Sequence, residues 1–313
     1  MLKDLPFGVE IEMTGLTREQ AAKAAAQLWN TTARHTGRSY DTWEVKDPEG
    51  KIWKFMSDGS IHSERWSGGE YSFTNDSEYR VEMVTPKLDY GEIPKLQEAV
   101  RAMRKAHAKV NESCGLHVHV DASRFDNQSL KNLMSIMYCK EDLLFQALQV
   151  PESRVERWCK PVREDMLRQA RRMTANASRS RLEWIWYQGD VNATEHYNWT
   201  RYHALNLHSV FYRGTVEYRM FNSTLHAGRI KAYVHLALGI SSQALEQRGS
   251  QMRKTQTDNP AFTFRTWLLR MGMIGEEYEN TREHLLASLP GNRAWRYDKD
   301  HYEKNKTRHE PER

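Results

Sequence analysis

The sequence predicts an α+β fold built on one β-sheet with an apolar face and a polar face. Three stretches carry this prediction: Phe7-Gly8-Val9-Glu10-Ile11-Glu12-Met13, Cys114-Gly115-Leu116-His117-Val118-His119-Val120-Asp121 and Gly214-Thr215-Val216-Glu217-Tyr218-Arg219-Met220. In a strand, residues i and i+2 point to the same side. Glu10 and Glu12 therefore share a face, as do His117, His119 and Asp121, and as do Glu217 and Arg219. The opposite faces read Val9, Ile11, Met13; Leu116, Val118, Val120; and Val216, Tyr218, Met220, which is core. Carboxylates set close together repel, and they stay ionised together only with cations present. The polar faces are thus expected to form the concave side of one sheet and to hold metal ions.

The elements follow in order. A strand is expected over residues 6–13. Thr17-Arg18-Glu19-Gln20 fits a capping box, and Ala21, Ala24, Ala25 and Leu28 follow at helical spacing, which predicts a helix over 18–33. Residues 40–85 look β-rich, with strands at 43–45, 52–55 and 79–85. Asp47-Pro48-Glu49-Gly50 and Asp58-Gly59-Ser60 mark turns between them, and 65–78 reads as a loop. Ile93, Leu96, Val100, Met103, His107 and Val110 form one apolar helical face, with Pro94 near its start. The His117/His119 strand comes next, then a helix over 127–149 and a basic, mostly helical stretch over 152–185. Residues 188–199, starting Gln188-Gly189-Asp190-Val191-Asn192-Ala193-Thr194, form a loop long enough to serve as a lid or specificity segment. A segment at 201–211 leads into the Glu217/Arg219 strand, and helices follow over 227–247 and 262–287. Residues 1–290 are expected to form one domain, and residues 291–313 a charged, loosely held tail.

Composition narrows the class. A chain of 313 residues can bury a substantial core, and 28% charged with 39% hydrophobic residues is a globular balance. No run approaches a membrane span, and the N-terminus shows no signal-peptide core. The three cysteines, Cys114, Cys139 and Cys159, are widely spaced without a CxxC. Both points suit a reducing cytoplasm and argue against a zinc–thiolate site. The net charge is +5, and residues 154–181 hold nine Lys or Arg against three Asp or Glu. That stretch fits an anionic substrate, a nucleic acid, or simply a solvated helix face.

The chemistry-bearing residues fall on the strands. Glu82, in Arg80-Val81-Glu82-Met83-Val84-Thr85-Pro86, repeats the acidic pattern on another strand. His117 and His119 at i and i+2 after a glycine are the sharpest feature, because imidazole binds several metals and also meets phosphate oxygens. Glu217 and Arg219 supply an oxygen ligand and a fixed cation, although a same-face ion pair would read the same way. Arg201 is suited to an anionic substrate or a phosphate, Asn206 to orienting one, and Tyr202 to packing. Asp58 and Ser60 sit at a turn. Cys114 reads as a small buried residue. At least three Glu and one or two His make a carboxylate-heavy ligand set, which suits Mg²⁺ or Mn²⁺ better than Zn²⁺. With a same-face Arg, that set suggests phosphoryl transfer. There is no glycine cradle for nucleotide phosphates.

Six short motifs, taken in order, resemble a known family. They are Phe-Gly-x-Glu-x-Glu at 7–12, Asp-Gly-Ser at 58–60, Glu-x-Val-Thr-Pro at 82–86, Gly-Leu-His-Val-His at 115–119, Arg-Tyr-x-x-Leu-Asn at 201–206 and Thr-Val-Glu-Tyr-Arg at 215–219. The chain resembles the amidoligases of the glutamine synthetase and glutamate–cysteine ligase superfamily of carboxylate–amine ligases. The resemblance implies a curved antiparallel half-barrel, like the glutamine synthetase catalytic domain, with helices on its convex face. It implies ATP and two or three Mg²⁺ in the concave face, with amide-bond formation through an acyl phosphate. Carried over residue by residue, Glu10, Glu12, Glu82, His117 and Glu217 look like metal ligands. Glu82 and Asn206 would face the nucleotide with its metals, and His119 would touch its phosphates. Arg219 would stabilise the transferred phosphoryl group, Arg201 would meet the substrate carboxylate or acyl phosphate, and Asp58 would receive the incoming ammonium group.

The glutamate-recognition elements of that superfamily are missing from this sequence. The partners are therefore expected to be a small-molecule or peptide carboxylate and an amine, selected by residues 154–181 and 188–199. Two other readings start from the same residues. A metal-dependent hydrolase would use His117 and His119, although Asp121 and Arg124 stand where a cupin would want other ligands. A nucleic-acid binder would use the basic stretch, with Arg168, Arg171 and Arg172 in contact.

Overall fold

In the computed structural model of the protein, which describes residues 2–37, 39–174, 176–190 and 195–297, strands and helices are interleaved. The chain runs β1 (Phe7–Met13), α1 (Arg18–Leu28), β2 (Ala33–His35), β3 (Trp43–Lys46), β4 (Ile52–Met56), β5 (Glu64–Ser67), β6 (Glu70–Phe73) and β7 (Val81–Val84). It continues through α2 (Ile93–Lys105), β8 (Gly115–Asp121), α3 (Asn127–Leu148), α4 (Glu152–Arg157), α5 (Glu164–Arg171) and α6 (Arg179–Trp186). The last elements are β9 (Leu205–Asn206), α7 (His208–Arg213), β10 (Thr215–Asn222), α8 (Ala227–Glu246), α9 (Pro260–Arg270) and α10 (Glu279–Leu286).

Eight strands form one sheet in the order β2-β3-β4-β7-β1-β8-β10-β9, with every neighbouring pair antiparallel. The fold is a mixed α+β structure around a large open sheet, with no closed barrel. Across the centre of the sheet, Phe55, Met83, Ile11, Leu116 and Phe221 lie in one register row, and all five are fully buried. Helices cover this apolar face, with α8 against β8, α3 against β10, and α1 against β3 and β4. Among the described residues, no helix is long and apolar enough to cross a membrane.

Local chemistry explains the boundaries. Helix α1 opens on the expected capping box, in which the Gln20 N–H donates to Thr17 Oγ1 at 3.2 Å and the Thr17 N–H to Gln20 Oε1 at 2.9 Å. It stops at Leu28, short of residue 33, because Asn30 turns left-handed (φ 51°) and the following residues start β2. Helix α2 likewise ends at Lys105, since His107 takes φ 65°, so His107 and Val110 lie beyond it. The expected 262–287 helix is two helices, because Gly272 and Gly275 both adopt positive φ between α9 and α10. Residues 65–78 hold a hairpin, β5–β6, where a loop was expected. Gly68 and Gly69, at φ 60° and 92°, supply the two left-handed positions of a tight turn. The strand expected over 79–85 begins at Val81. Tyr79 closes a 3-10 turn, and Arg80 donates to Ser63 Oγ at 3.3 Å.

The basic stretch breaks into α4, α5 and α6. Arg163 and Arg168 form exposed ion pairs with Asp165 and Glu164, whereas Arg154 is buried. Of the expected lid, residues 191–194 lie outside the described residues. Of the expected tail, residues 298–313 do too, while Asn259 Nδ2 donates to the Trp295 and Arg296 carbonyls at 2.9 and 3.1 Å.

One buried charge lies apart from the polar face. Glu141 on α3 is fully buried and accepts the Val162 N–H at 2.8 and 3.1 Å, which pins the turn before α5. Burial pushes its carboxyl up to about 8. The unfolded chain releases this proton near the ordinary carboxylate value, so at intermediate pH the folded state holds one proton more. Stability must therefore fall as pH rises through that window. Replacing Glu141 with Gln should flatten the fall between pH 5 and pH 8, as read from urea midpoints at the two pH values. An unchanged slope would show that Glu141 is ionised throughout.

Candidate functional site

The strand register assembles the polar face. Glu12 pairs with Glu82 across β1 and β7, and Glu10 pairs with His117 across β1 and β8. Glu217 pairs with His119 across β8 and β10, and with Asn206 on β9. These partners come from five strands, the neighbours β7, β1, β8 and β10 and the β9 edge. The face is covered, not solvated. Glu12, Glu82, His117, His119, Glu217 and Arg219 are each at least nine-tenths buried.

The distances are those of one connected cluster. His117 Nδ1 lies 3.1 Å from Glu10 Oε2 and 3.8 Å from Glu217 Oε1, and its Nε2 lies 3.8 Å from Glu12 Oε1. His119 Nε2 lies 3.3 Å from Glu10 Oε1. Asn206 Nδ2 donates to Glu217 Oε2 at 2.6 Å, and Arg219 Nη1 is bonded to the other oxygen. The Gly115 N–H donates to Glu12 Oε2 at 2.5 Å.

Each carboxylate is compensated differently. Burial pushes Glu10 up, but His119 and His117 outweigh it and hold its carboxyl well below the usual range. Glu217 is opposed by burial in the same way, yet Arg219 and both histidines bring it down to about 2. Burial raises Glu12, and the field of His117 only partly offsets it. Glu82 is pushed well above the carboxylate range, by burial first and then by Glu10, Asp58 and Glu12. Burial lowers His119, but the charges of Glu10 and Glu217 more than restore it.

Three overlapping groups offer ligand atoms within 4.8 Å of one another: Glu10, Glu82 and His117; Glu10, His119 and Glu217; and Glu12, Asp58 and Glu82. The donor set fits divalent cations that prefer oxygen. Buried His119 Nε2 and Asn206 Oδ1 lack hydrogen-bond partners, which leaves coordination capacity on the same face, and the unpartnered Arg219 Nε–H leaves a donor for an anion. A fourth group, Asp47, Glu49 and Glu92, is already occupied by Lys95, which bonds all three, and by Lys51 on Glu92.

Cavities flank the cluster. One of about 200 Å³ is lined by Glu10, Asp58, Glu82, Asn206 and Glu217. A second, of about 300 Å³, runs from Glu12, His117 and Arg219 to Asp58 and Arg201. A third, of about 230 Å³, lies beside Gly8, Thr85, His119 and Thr215. Gly8 shares a register row with His119, so it leaves the polar face without a side chain there. Asp58 is fixed at the mouth of the first two cavities, where its Oδ1 accepts the Ser60 N–H and Oγ–H at 2.7 and 2.6 Å. Arg201 lines both and rests on the rings of Tyr197 and Tyr202.

All the site residues expected from the sequence line this region, but several others there were missed. Arg213 on α7 reaches Glu10 Oε1 at 3.4 Å. Tyr40 and Tyr197 meet through their hydroxyls at 2.6 Å over the first two cavities. Arg154 lines the second cavity and is treated below. Tyr197 and Arg154 had a signal, their places in the 188–199 and 154–181 segments. Asp121 lies on the histidine face as expected, lining the third cavity with His119, and pairs there with Lys87 at 2.5 Å. Cys114 is buried as expected. A family model described as a putative amidoligase enzyme matches residues 3–241, and no curated protein matches the chain.

Removing the Glu82 ionisation tests the cluster. Glu82→Gln should raise the melting temperature without metal at alkaline pH, where the wild-type carboxyl loses its proton beside Glu10, Asp58 and Glu12. It should also weaken Mg²⁺ or Mn²⁺ binding by at least about tenfold. Glu49→Gln should leave the metal response intact. Equal metal responses in wild type and Glu82→Gln would separate this face from metal binding.

Proposed function

The chain belongs to the amidoligase family, and we propose that it is an ATP-dependent carboxylate–amine ligase working through an acyl phosphate. The observation that carries this reading is the set of three overlapping ligand groups on one buried sheet face, with the Arg219 guanidinium fixed among them. In this reading the sheet is the half-barrel of the glutamine synthetase superfamily. Glu10, Glu12, Glu82, Glu217 and His117 would hold Mg²⁺ or Mn²⁺. Bound there, the ions would neutralise the phosphate oxygens and the substrate carboxylate.

The nucleotide fits the cavity beside Gly8, where the bare backbone leaves room and His119 faces the phosphates. Asn206 holds Glu217 in place and helps to order the phosphate end. A carboxylate oxygen of the acid attacks the γ-phosphorus, and the bond to the bridging oxygen breaks, which releases ADP. Arg219 offers fixed positive charge where the transferred group carries its negative charge, and little reorganisation is needed because it is already locked to Glu217. The amine then attacks the acyl carbon, and phosphate departs with the carbonyl–oxygen bond pair. Asp58 meets the incoming ammonium group and takes one proton before attack, and the second proton leaves the nitrogen with the departing phosphate. Arg201 faces the acid or its acyl phosphate.

Two measurements test the reading. ADP release should need both an acid and an amine, and hydroxylamine in place of the amine should give the hydroxamate of the acid. Nucleotide-independent hydrolysis in Zn²⁺ would move the assignment to a hydrolase. Arg219→Lys should lower kcat by about 10²-fold or more, with KM for ATP little changed, since an ammonium cannot reproduce the planar fork. Full turnover in that variant would remove Arg219 from the transfer step.

A further inference from the structure

We infer that the acid substrate carries a second anionic group, seated between Arg154 and Arg201 at the end of the site away from the nucleotide. The inference rests on the ligase reading for the reacting carboxylate and adds the chemical class of the substrate.

Arg154 comes from α4, in the basic stretch, but its side chain does not join the exposed arginines of α5. It is 6% exposed and lines the 300 Å³ cavity together with Arg201 and Arg219. Among the described residues no carboxylate pairs with it. Its Nε has no hydrogen-bond partner, and Nη2 makes only long contacts, 3.4 Å each, to the Arg219 and Phe221 carbonyls. A buried guanidinium with no bonded counter-charge is costly even with the Glu12 carboxylate acting on it from a distance, and the cost is offset when an anion occupies the space it faces. Among the described residues Arg201 has no carboxylate partner either, and its Nη1 makes only a 3.5 Å contact to the His196 carbonyl. Arg219, by contrast, is committed to Glu217.

The fold makes room for Arg154. A Cβ on Gly115 would sit 2.7 Å from Arg154 Nη2 and 3.1 Å from Nη1, so the strand that carries His117 begins with the residue that lets the guanidinium approach. Trp158 and Tyr202, edge to face at 5.3 Å, wall the same cavity and can pack a short carbon chain.

Placement decides which anion is meant. The Gly8 cavity and the Arg154 cavity share no lining residue. They lie at opposite ends of the Gly8–Glu12 stretch of β1, which spans about 13 Å at the usual strand rise. The nucleotide phosphates would therefore lie at one end, with the reacting carboxylate between Arg219 and the metal ligands. Arg154 and Arg201 are left for another negative group of the same substrate.

Calorimetric titration of the full chain without nucleotide tests this. The probes are succinate, glutarate and adipate, each against the monocarboxylate of equal length: butyrate, pentanoate and hexanoate. Wild type should bind at least one dicarboxylate about tenfold or more tighter than its partner, the worth of one charge-assisted hydrogen bond. Arg154→Met and the milder Arg201→Gln should each lose that preference. Equal binding of every pair, or a preference that survives in either folded variant, overturns the inference. If Arg154 only braces the β10 backbone, Arg154→Met lowers the melting temperature and keeps the preference. Mg²⁺-ATP is titrated in parallel. Its failure to bind wild type would remove the ligase reading, while the paired acids still judge the anion seat.

Discussion

Antiparallel pairing of β7, β1, β8 and β10 forces four buried carboxylates onto one face, and the rest of the structure answers to that. Two like charges 4 Å apart interact by about 4 kcal/mol at an effective dielectric of 20. A face with Glu10, Glu12, Glu82 and Glu217 would drive the strands apart unless each charge were compensated. The compensation is particular to each one. Glu217 has Arg219 and Asn206, Glu10 has the two histidines, and Glu12 has a backbone N–H. Glu82 has only the field of Arg219, which burial and the charges of Glu10, Asp58 and Glu12 outweigh, and this makes it the point at which an added cation changes most.

The β10 strand shows how the register is adjusted to this end. Its pairing with β8 slips by one residue between Tyr218 and Phe221, so two residues stand opposite His117. A bulge of this kind re-aims a side chain and leaves backbone groups outside the ladder. Here Arg219 is brought beside Glu217, and its carbonyl and that of Phe221 are left facing Arg154.

Much of the site was legible because strand periodicity is rigid. Alternation placed Glu10 with Glu12 and His117 with His119 on common faces, and the apolar partners identified the core side without any knowledge of pairing. Register was not legible, since nothing local says that Glu12 meets Glu82 or that Glu217 meets His119. The cavity walls were not legible either. Arg154 reads in sequence like any other arginine of a basic stretch, and only burial separates it from Arg168. Tyr40 and Arg213 lie in segments with no period to interpret. Helix ends failed where single left-handed residues, Asn30 and His107, overrode an apolar pattern that continued past them. The β5–β6 hairpin was missed because its strands alternate weakly, although Gly68-Gly69 was a usable turn signal.

The Tyr40–Tyr197 contact joins two segments that share no backbone pairing, above the cavities on either side of Asp58. The groups proposed for phosphoryl transfer ride on the central strands, while the groups over the mouth ride on connecting segments and short helices. Strands in the middle of a sheet cannot drift without disturbing both neighbours, but a connection can lengthen, shorten or change residue at small cost. On the proposed reading, chemistry and selectivity are thus inherited separately in this architecture, and descendants of such a chain could exchange one acid for another by rewriting the residues around Tyr40, Arg154 and Tyr197, with the proposed reaction left untouched.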